Sequence, residues 1–414
     1  MSDLKIELII IGDEILLGQT LDTNSNWIAS RLAESGFPLR WLSVVGDNDS
    51  DLKHQLKRAW NRADVVLLTG GLGPTHDDIT RPVIAEFFED ELRPRDDIAK
   101  RIEARFSARG ITPPPGYEIL AEFPSRALPI PNQHGSAPGI HYILDDRELL
   151  AMPGVPVEMR GMMDNYAIPL LEGKRSGIYR FRTIMTAGAG ESHLAEMIGD
   201  TESLEPVKLA YLPSIDHGVT LRISASGEDE KLVKNALDRA QVYIHDRVGE
   251  YIYADNRIPL EKVLLDMLEV KGMKFAVAES CTGGMIASRI VSIPGSSAVF
   301  ERGFVTYSNR AKTDLLGVSE ELLAKHGAVS AEVALAMAEG ALKNSGADVA
   351  LSVTGIAGPT GDTPDKPIGL TFIAVADGNG GDVKRHRFTG DRDSNRRRSA
   401  YAALVMLWRR LRDS

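Results

Sequence analysis

LIIIG, residues 8–12, followed at 24–36 by the helical pattern NSNWIASRLAESG, sets the architecture of this 414-residue chain from its first turn. The apolar run reads as a buried strand, and the pattern repeats: ADVVLLTGG (63–71) precedes another helical stretch, and RELLAMPG (147–154) is a third strand ending at a Gly/Pro turn. Strands alternating with helices predict βαβ units, a parallel sheet and an α/β layer structure. Loops that follow such strands gather on one sheet edge, where ligands bind. The Pro-rich TPPPG (112–116) is predicted as a surface loop, since proline runs continue neither a ladder nor a helix.

The pattern changes near residue 172. GIYRFRTIMTAG, the helical ESHLAEMIGD, the strand pair KLAYLP and GVTLRISASG, and the helical EKLVKNALDRAQVYIHDRVGE predict a small α+β unit. Within it GAGES (188–192) is either an anion-binding helix entry or plain turn chemistry. After YADNR (253–257) a second α/β pattern runs to the end. The expected fold class is therefore α/β: two three-layer α/β domains with mainly parallel sheets, 1–171 and 253–414, joined by a small α+β domain over 172–252.

Composition narrows the function. With 43% apolar and 26% charged residues this is an ordinary globular chain, and no apolar run approaches the roughly 20 residues that cross a bilayer, so no membrane partner is expected. The opening MSDLKIELIIIGDEI runs from apolar directly into acidic residues, as a first strand does and a signal peptide does not; a cytoplasmic location follows as an expectation. A single cysteine excludes an internal disulfide and a Cys-rich zinc site. A net charge of −10 argues against nucleic acid as a partner. The one dense basic run, NRRRS (395–399), opens an apolar-periodic helix, and most of its arginines are expected on a solvated face.

Chemistry-bearing residues collect at strand ends. MKFAVAES (273–280) is a strand and GGMIASRIVS (283–292) the helix after it, which puts Ser280, Cys281 and Thr282 at a strand-to-helix turn with Gly283 and Gly284. Backbone N–H groups of such a turn, from Cys281 to Gly284, are candidate donors to an oxyanion or phosphate. GFVTYSNRAK (303–312) contributes Tyr307, Asn309 and Lys312, and ADVALSVTGIAGPTG (347–361) contributes Thr354 and a glycine loop starting at Gly355. A serine hydroxyl needs a base, and a desolvated lysine can be one. Cys281 is the rival nucleophile, and a bland packing role for the turn stands beside both. At the other end of the chain, GDEIL (12–16) and TGGLGPTHDDIT (69–80) each follow a strand. Gly70, Gly71, Gly73 and Thr75 could approach a phosphate, and Asp13, Glu14, Asp77 and Asp78 could hold a hard divalent cation. Equally, aspartates beside Gly-Pro turns are caps and turn formers.

AESCTGG, FERGFVTYSNRAK, HGAVS, SVTGIAGPTG and FTGDRD together resemble the C-terminal domain of the CinA family, which is similar to the stand-alone nicotinamide mononucleotide deamidase PncC. The resemblance implies hydrolysis of nicotinamide mononucleotide to nicotinic acid mononucleotide and ammonia, with no cofactor. It implies Ser280 as nucleophile, Tyr307 and Lys312 as base and proton relay, Thr354 close by, and Arg392 on the substrate phosphate; Asn309, from the strand end, is expected to bind substrate. The N-terminal segments, with PGVPVEM (153–159), resemble the molybdopterin-binding fold of MoaB, MogA and the gephyrin type, and the whole chain resembles full-length CinA. In that family the N-terminal domain looks like a metal-dependent ADP-ribose pyrophosphatase, served by Mg or another divalent ion. Asp77 stands where molybdopterin enzymes commonly carry arginine, which suits a metal better than an anionic pterin. Molybdopterin adenylylation, or a non-enzymatic role in competence or DNA damage, are the alternatives. The middle domain resembles the family's KH-type insert but lacks the GXXG clamp of RNA binders. A homodimer is expected.

Overall fold

Every side chain of the strand Ile6–Ile11 is buried, and alternate residues enter different cores. Leu8 and Ile10 pack with Ile28 and Leu32 of the helix Thr23–Glu34; Ile9 and Ile11 pack with Leu52, Leu56 and Ala59 of the helix Asp49–Arg62. A strand covered by helices on both faces is continuously apolar instead of alternating, and this accounts for the LIIIG run. The two helices start where Asp22 and Asn48 accept the backbone N–H of Ser25 and Asp51, respectively. The structure, a computed structural model, describes residues 4–112, 114, 116–175 and 177–413. Pro113 and Pro115 of the expected surface loop lie outside the described residues.

The N-terminal sheet runs in the order Trp41–Val45, Ile6–Ile11, Val65–Thr69, Arg147–Met152, Gly139–Leu144, Leu128–Ile130. Its first four strands are parallel and the last two antiparallel. Chain order reverses at Ile6–Ile11, whose successors lie on opposite sides of it. A crevice opens at the strand carboxyl ends of such a switch point. Here it receives the loops after Ile11, Thr69 and Met152.

The α+β segment forms a four-stranded sheet, Lys208–Ser214, Gly218–Gly227, Ile178–Thr186 and Ile252–Ala254, with the helices Glu191–Ile198 and Glu230–Val248. The C-terminal sheet runs Phe300–Val305, Phe275–Glu279, Val349–Gly355, Leu370–Asp377, Gly380–Arg387. Parallel pairing covers its first three strands only; the other two pairings are antiparallel, so this sheet is evenly mixed instead of mainly parallel. The turn from Asp377 to Gly380 leaves no room for a crossover helix, and the longer 356–369 connection before Leu370 contains none. Phe275 and Val277 face a core with Leu264, Leu404 and Leu407, whereas Ala276 and Ala278 face Met337 and Ala341 of the helix Ala331–Ser345.

By internal contacts the chain resolves into two units, residues 1–180 with 226–234, and residues 181–225 with 235–414. Among the described residues no helix is long and apolar enough to cross a membrane.

Candidate active sites

Adjacent parallel strands end side by side in the C-terminal sheet, and their exits build the first site. Ser280 follows Phe275–Glu279, and its N–H donates to Val353 O of the neighbouring strand at 2.9 Å. Lys312, in the first turn of the helix Asn309–Leu316, is only 1% exposed. Its Nζ lies 3.1 Å from Ser280 Oγ and donates to Thr306 O at 2.8 Å. Desolvation lowers the Lys312 pKa, because no carboxylate among the described residues pairs with the amine. Cys281 packs in the core cluster with Ile286 and Leu404, and burial pushes its thiol up to about 12, so it is protonated near neutral pH. Neither His326 nor His386 serves it; the first pairs with Glu332 and the second stacks on Phe388.

Glu279 determines which turn amides remain available. Fully buried, its carboxylate accepts the N–H groups of Gly284 (3.0 Å), Ile286 (3.1 Å) and Ala287 (2.9 Å). Gly283 N–H donates to Ser280 O. The expectation that all four amides from Cys281 to Gly284 face a substrate is therefore corrected: the two glycine amides are consumed within the turn. Among the described residues, only the Cys281 and Thr282 N–H groups of that set are without an acceptor.

The first turn of the helix Arg392–Asp413 gathers the remaining loops. Arg392 donates to Gly358 O at 2.6 Å and to Tyr307 Oη at 3.0 Å, Asn395 to Ala357 O and Gly390 O, and Arg396 to Thr282 O at 3.0 Å. Arg397 pairs with Asp216 and Arg398 donates to Thr389 O. The basic run is thus engaged arginine by arginine, contrary to the expected solvated face, because its neighbours supply carbonyls and a carboxylate. Tyr307 is 63% exposed and makes no direct hydrogen bond to Lys312, so the two do not form a contiguous relay in this arrangement. Thr354 lies in the strand beside Ser280, but its hydroxyl donates to Ala328 O. Asn309 opens the helix that carries Lys312. Gly355 ends the strand beside Ser280, and a Cβ there would sit 2.7 Å from Leu370 O, so the close packing requires glycine.

The second site is the crevice of the N-terminal sheet, about 590 Å³, lined by Gly12, Glu14, Gly70, Gly71, Gly73 and Thr75 among others. Gly70 has φ 117°, and a Cβ there would lie 2.2 Å from Ile11 O, which only glycine tolerates. Asp78 faces its own loop, accepting the N–H of Gly73 at 2.7 Å and both the N–H and hydroxyl of Thr75 at 2.8 and 2.5 Å. Asp47, overlooked in the sequence, exchanges hydrogen bonds with Asp13 across the crevice mouth. Its pKa is raised, first by burial and then by the charges of Asp13, Glu14 and Asp77. Among the described residues no three His, Cys, Asp or Glu side chains converge as a ready-made metal cage.

Both halves match known family models. Residues 257–411 match the CinA C-terminal domain, 7–173 the probable molybdopterin binding domain, and 181–254 the KH domain of damage-inducible protein CinA. A competence-damage inducible protein of Caldicellulosiruptor saccharolyticus is 43% identical over 97% of this chain and 98% of its own. The chain belongs to the CinA family. A CinA-like protein of Chloroherpeton thalassium is 42% identical over 97% of this chain and 98% of its own. Among solved structures, the competence/damage inducible protein CihA from Agrobacterium tumefaciens is 46% identical, covering 36% of this chain and 92% of that one with a TM-score of 0.35. In this CinA family chain the segment names follow the same division as the two α/β sheets and the four-stranded sheet between them. Glu279, Arg396 and Asp47 are the residues that reading the sequence missed. An acid closing an apolar strand was the available signal for Glu279, and Arg396 lies one helical turn from Arg392.

Proposed function

We propose that the Ser280 site hydrolyses the carboxamide of nicotinamide mononucleotide, giving nicotinic acid mononucleotide and ammonia. The observation that carries this reading is the 3.1 Å approach of the buried Lys312 amine to Ser280 Oγ. A neutral lysine amine can donate one N–H to Thr306 O and still offer its lone pair to the serine proton. Ser280 Oγ then attacks the amide carbon, the proton passes to Lys312, and the oxyanion meets the N–H groups of Cys281 and Thr282. Donors of this kind are typically worth about 3 kcal/mol each. The protonated Lys312 returns its proton to the leaving nitrogen, ammonia departs, and water cleaves the acyl-serine. Arg392, held by Gly358 O and Tyr307 Oη, has N–H donors for the substrate phosphate. Ammonia release by the full chain tests the reading; a wild type that produces none from this substrate contradicts it.

For the N-terminal crevice we propose cleavage of ADP-ribose to AMP and ribose 5-phosphate. Its support is the combination of glycine amides and hard-oxygen donors around one opening. The charge repulsion felt by Asp47 suits a divalent cation, held by one or two of Glu14, Asp47 and Asp77 together with the substrate's phosphate oxygens, as magnesium-type ions usually are. Such an ion would neutralise charge on the pyrophosphate. Undiminished hydrolysis in the presence of chelator would contradict its part. Molybdopterin binding with adenylylation is the second reading, favoured by the family model matched over 7–173. The acidic mouth weighs against an anionic pterin, and a titration with molybdopterin separates the two.

A further inference from the structure

We infer that the chain carries a third ligand site, for a small aromatic phosphate of the nucleotide class, in a cavity between the α+β segment and the C-terminal helix. The cavity measures about 590 Å³, within the range of roughly 300–1,000 Å³ that ligand pockets occupy. One wall is the loop Gly188–Gly190 and the Pro213–Val219 hairpin; the other is Lys384, His386, Phe388 and one face of the helix Arg392–Asp413. That face repeats at helical spacing through Arg398, Tyr401, Val405 and Arg409, whereas Arg392, Asn395 and Arg396 turn to the Ser280 site. The cavity and the catalytic turn are therefore different surfaces of one helix.

Three cations line it, Lys384, Arg398 and Arg409, and among the described residues none is paired with a carboxylate. Other arginines of the helix are: Arg397 with Asp216, Arg410 with Asp377 and Asp382, Arg412 with Asp413. Unpaired cations concentrated in a concavity of a chain with net charge −10 mark an anion site, with Glu191 the single acid in the lining. The Arg409 guanidinium comes so close to Gly188 that a Cβ there would lie 2.6 Å from Nη2, so the glycine of the GAGES stretch makes space for it. The remaining wall is apolar, with Val219, Val405 and Met406, and with the rings of His386 and Phe388 stacked at 5.4 Å and 8°. Inorganic phosphate has no use for that wall, and an uncharged hydrophobe none for the cations. A planar ring bearing phosphate uses both.

Calorimetric titration of the full chain with AMP tests this. AMP can also enter the two sites described above, so the reading is the number of sites in the wild type against Arg398→Gln/Arg409→Gln and, separately, the cavity-filling Ala402→Trp. The expected result is one site per chain lost, or weakened by at least about tenfold, in both variants with the other sites unchanged. Should Ala402→Trp fail to fold, the double arginine variant, which changes partly exposed side chains, decides alone. Equal site number and affinity in wild type and the double variant overturns the proposal, as does absence of AMP binding to the wild type. Inorganic phosphate binding in the cavity as tightly as AMP would overturn the aromatic part.

Discussion

Burying the Lys312 amine without a carboxylate disfavours its charged form, and two consequences follow at the scale of this residue. Between its lowered folded pKa and the ordinary value of 10.5, the unfolded chain binds a proton that the folded chain lacks, so this group's contribution makes stability rise with pH across that window. Lys312→Met should then be more stable than wild type near neutral pH and lose that advantage as pH approaches the upper end; thermal unfolding against pH checks the sign. On the proposed mechanism the activity should rise through the same folded pKa, since the neutral amine would act as the base. In Lys312→Met that limb of the kcat/KM profile should vanish with at least about a hundredfold of the rate. The sequence placed Ser280, Cys281 and Lys312 at strand exits but left the nucleophile open. Burial pushes the thiol up to about 12, which weighs against Cys281 as the nucleophile, and burial cannot be read from three adjacent residues.

Elements explain what single residues do not. The turn after Phe275–Glu279 is held from inside by Glu279, through three backbone N–H groups, and from outside by Arg396 at Thr282 O. Glu279→Gln keeps the shape but places an N–H2 against those donors, and an unsatisfied buried group costs about 1–3 kcal/mol. The variant should fold with lowered stability and lose kcat more than it raises KM, measured by denaturant unfolding and steady-state ammonia release. The strands and helices themselves were legible, because runs such as LIIIG and MKFAVAES are buried on both faces and helices cover them. What stayed hidden was the antiparallel end of the C-terminal sheet and the engagement of the 395–399 arginines. The arginine contacts depend on partners far away in the chain, such as Asp216, which no local pattern encodes, whereas the last hairpin closes over the turn between Asp377 and Gly380. In the N-terminal crevice the Gly73–Thr75 loop hangs on Asp78, so Asp78→Asn should loosen it and remove most ADP-ribose cleavage while leaving global unfolding nearly unchanged.

At the scale of the molecule, the proposed sites fall in different compact units, Glu14 and Asp78 in the first, Ser280, Lys312 and Arg392 in the second. Mutations at sites without shared partners give additive effects. Ser280→Ala should therefore spare ADP-ribose cleavage, Asp78→Asn should spare ammonia release, and the double variant should lack both. A fragment of residues 255–414 keeps every residue of the Ser280 site but loses Asp216 and with it the Arg397 pair. It should deamidate without added metal and unfold at a lower temperature than the second unit within the full chain. The central claim is that a serine, activated by a neutral buried lysine, does the chemistry beside an inert cysteine. Its most direct test is ammonia release from nicotinamide mononucleotide by the full chain and its Ser280→Ala and Cys281→Ala variants, each verified as folded. The account predicts a loss of at least about a thousandfold for Ser280→Ala and a change within a few-fold for Cys281→Ala; a dead, folded cysteine variant beside an active serine variant would contradict it.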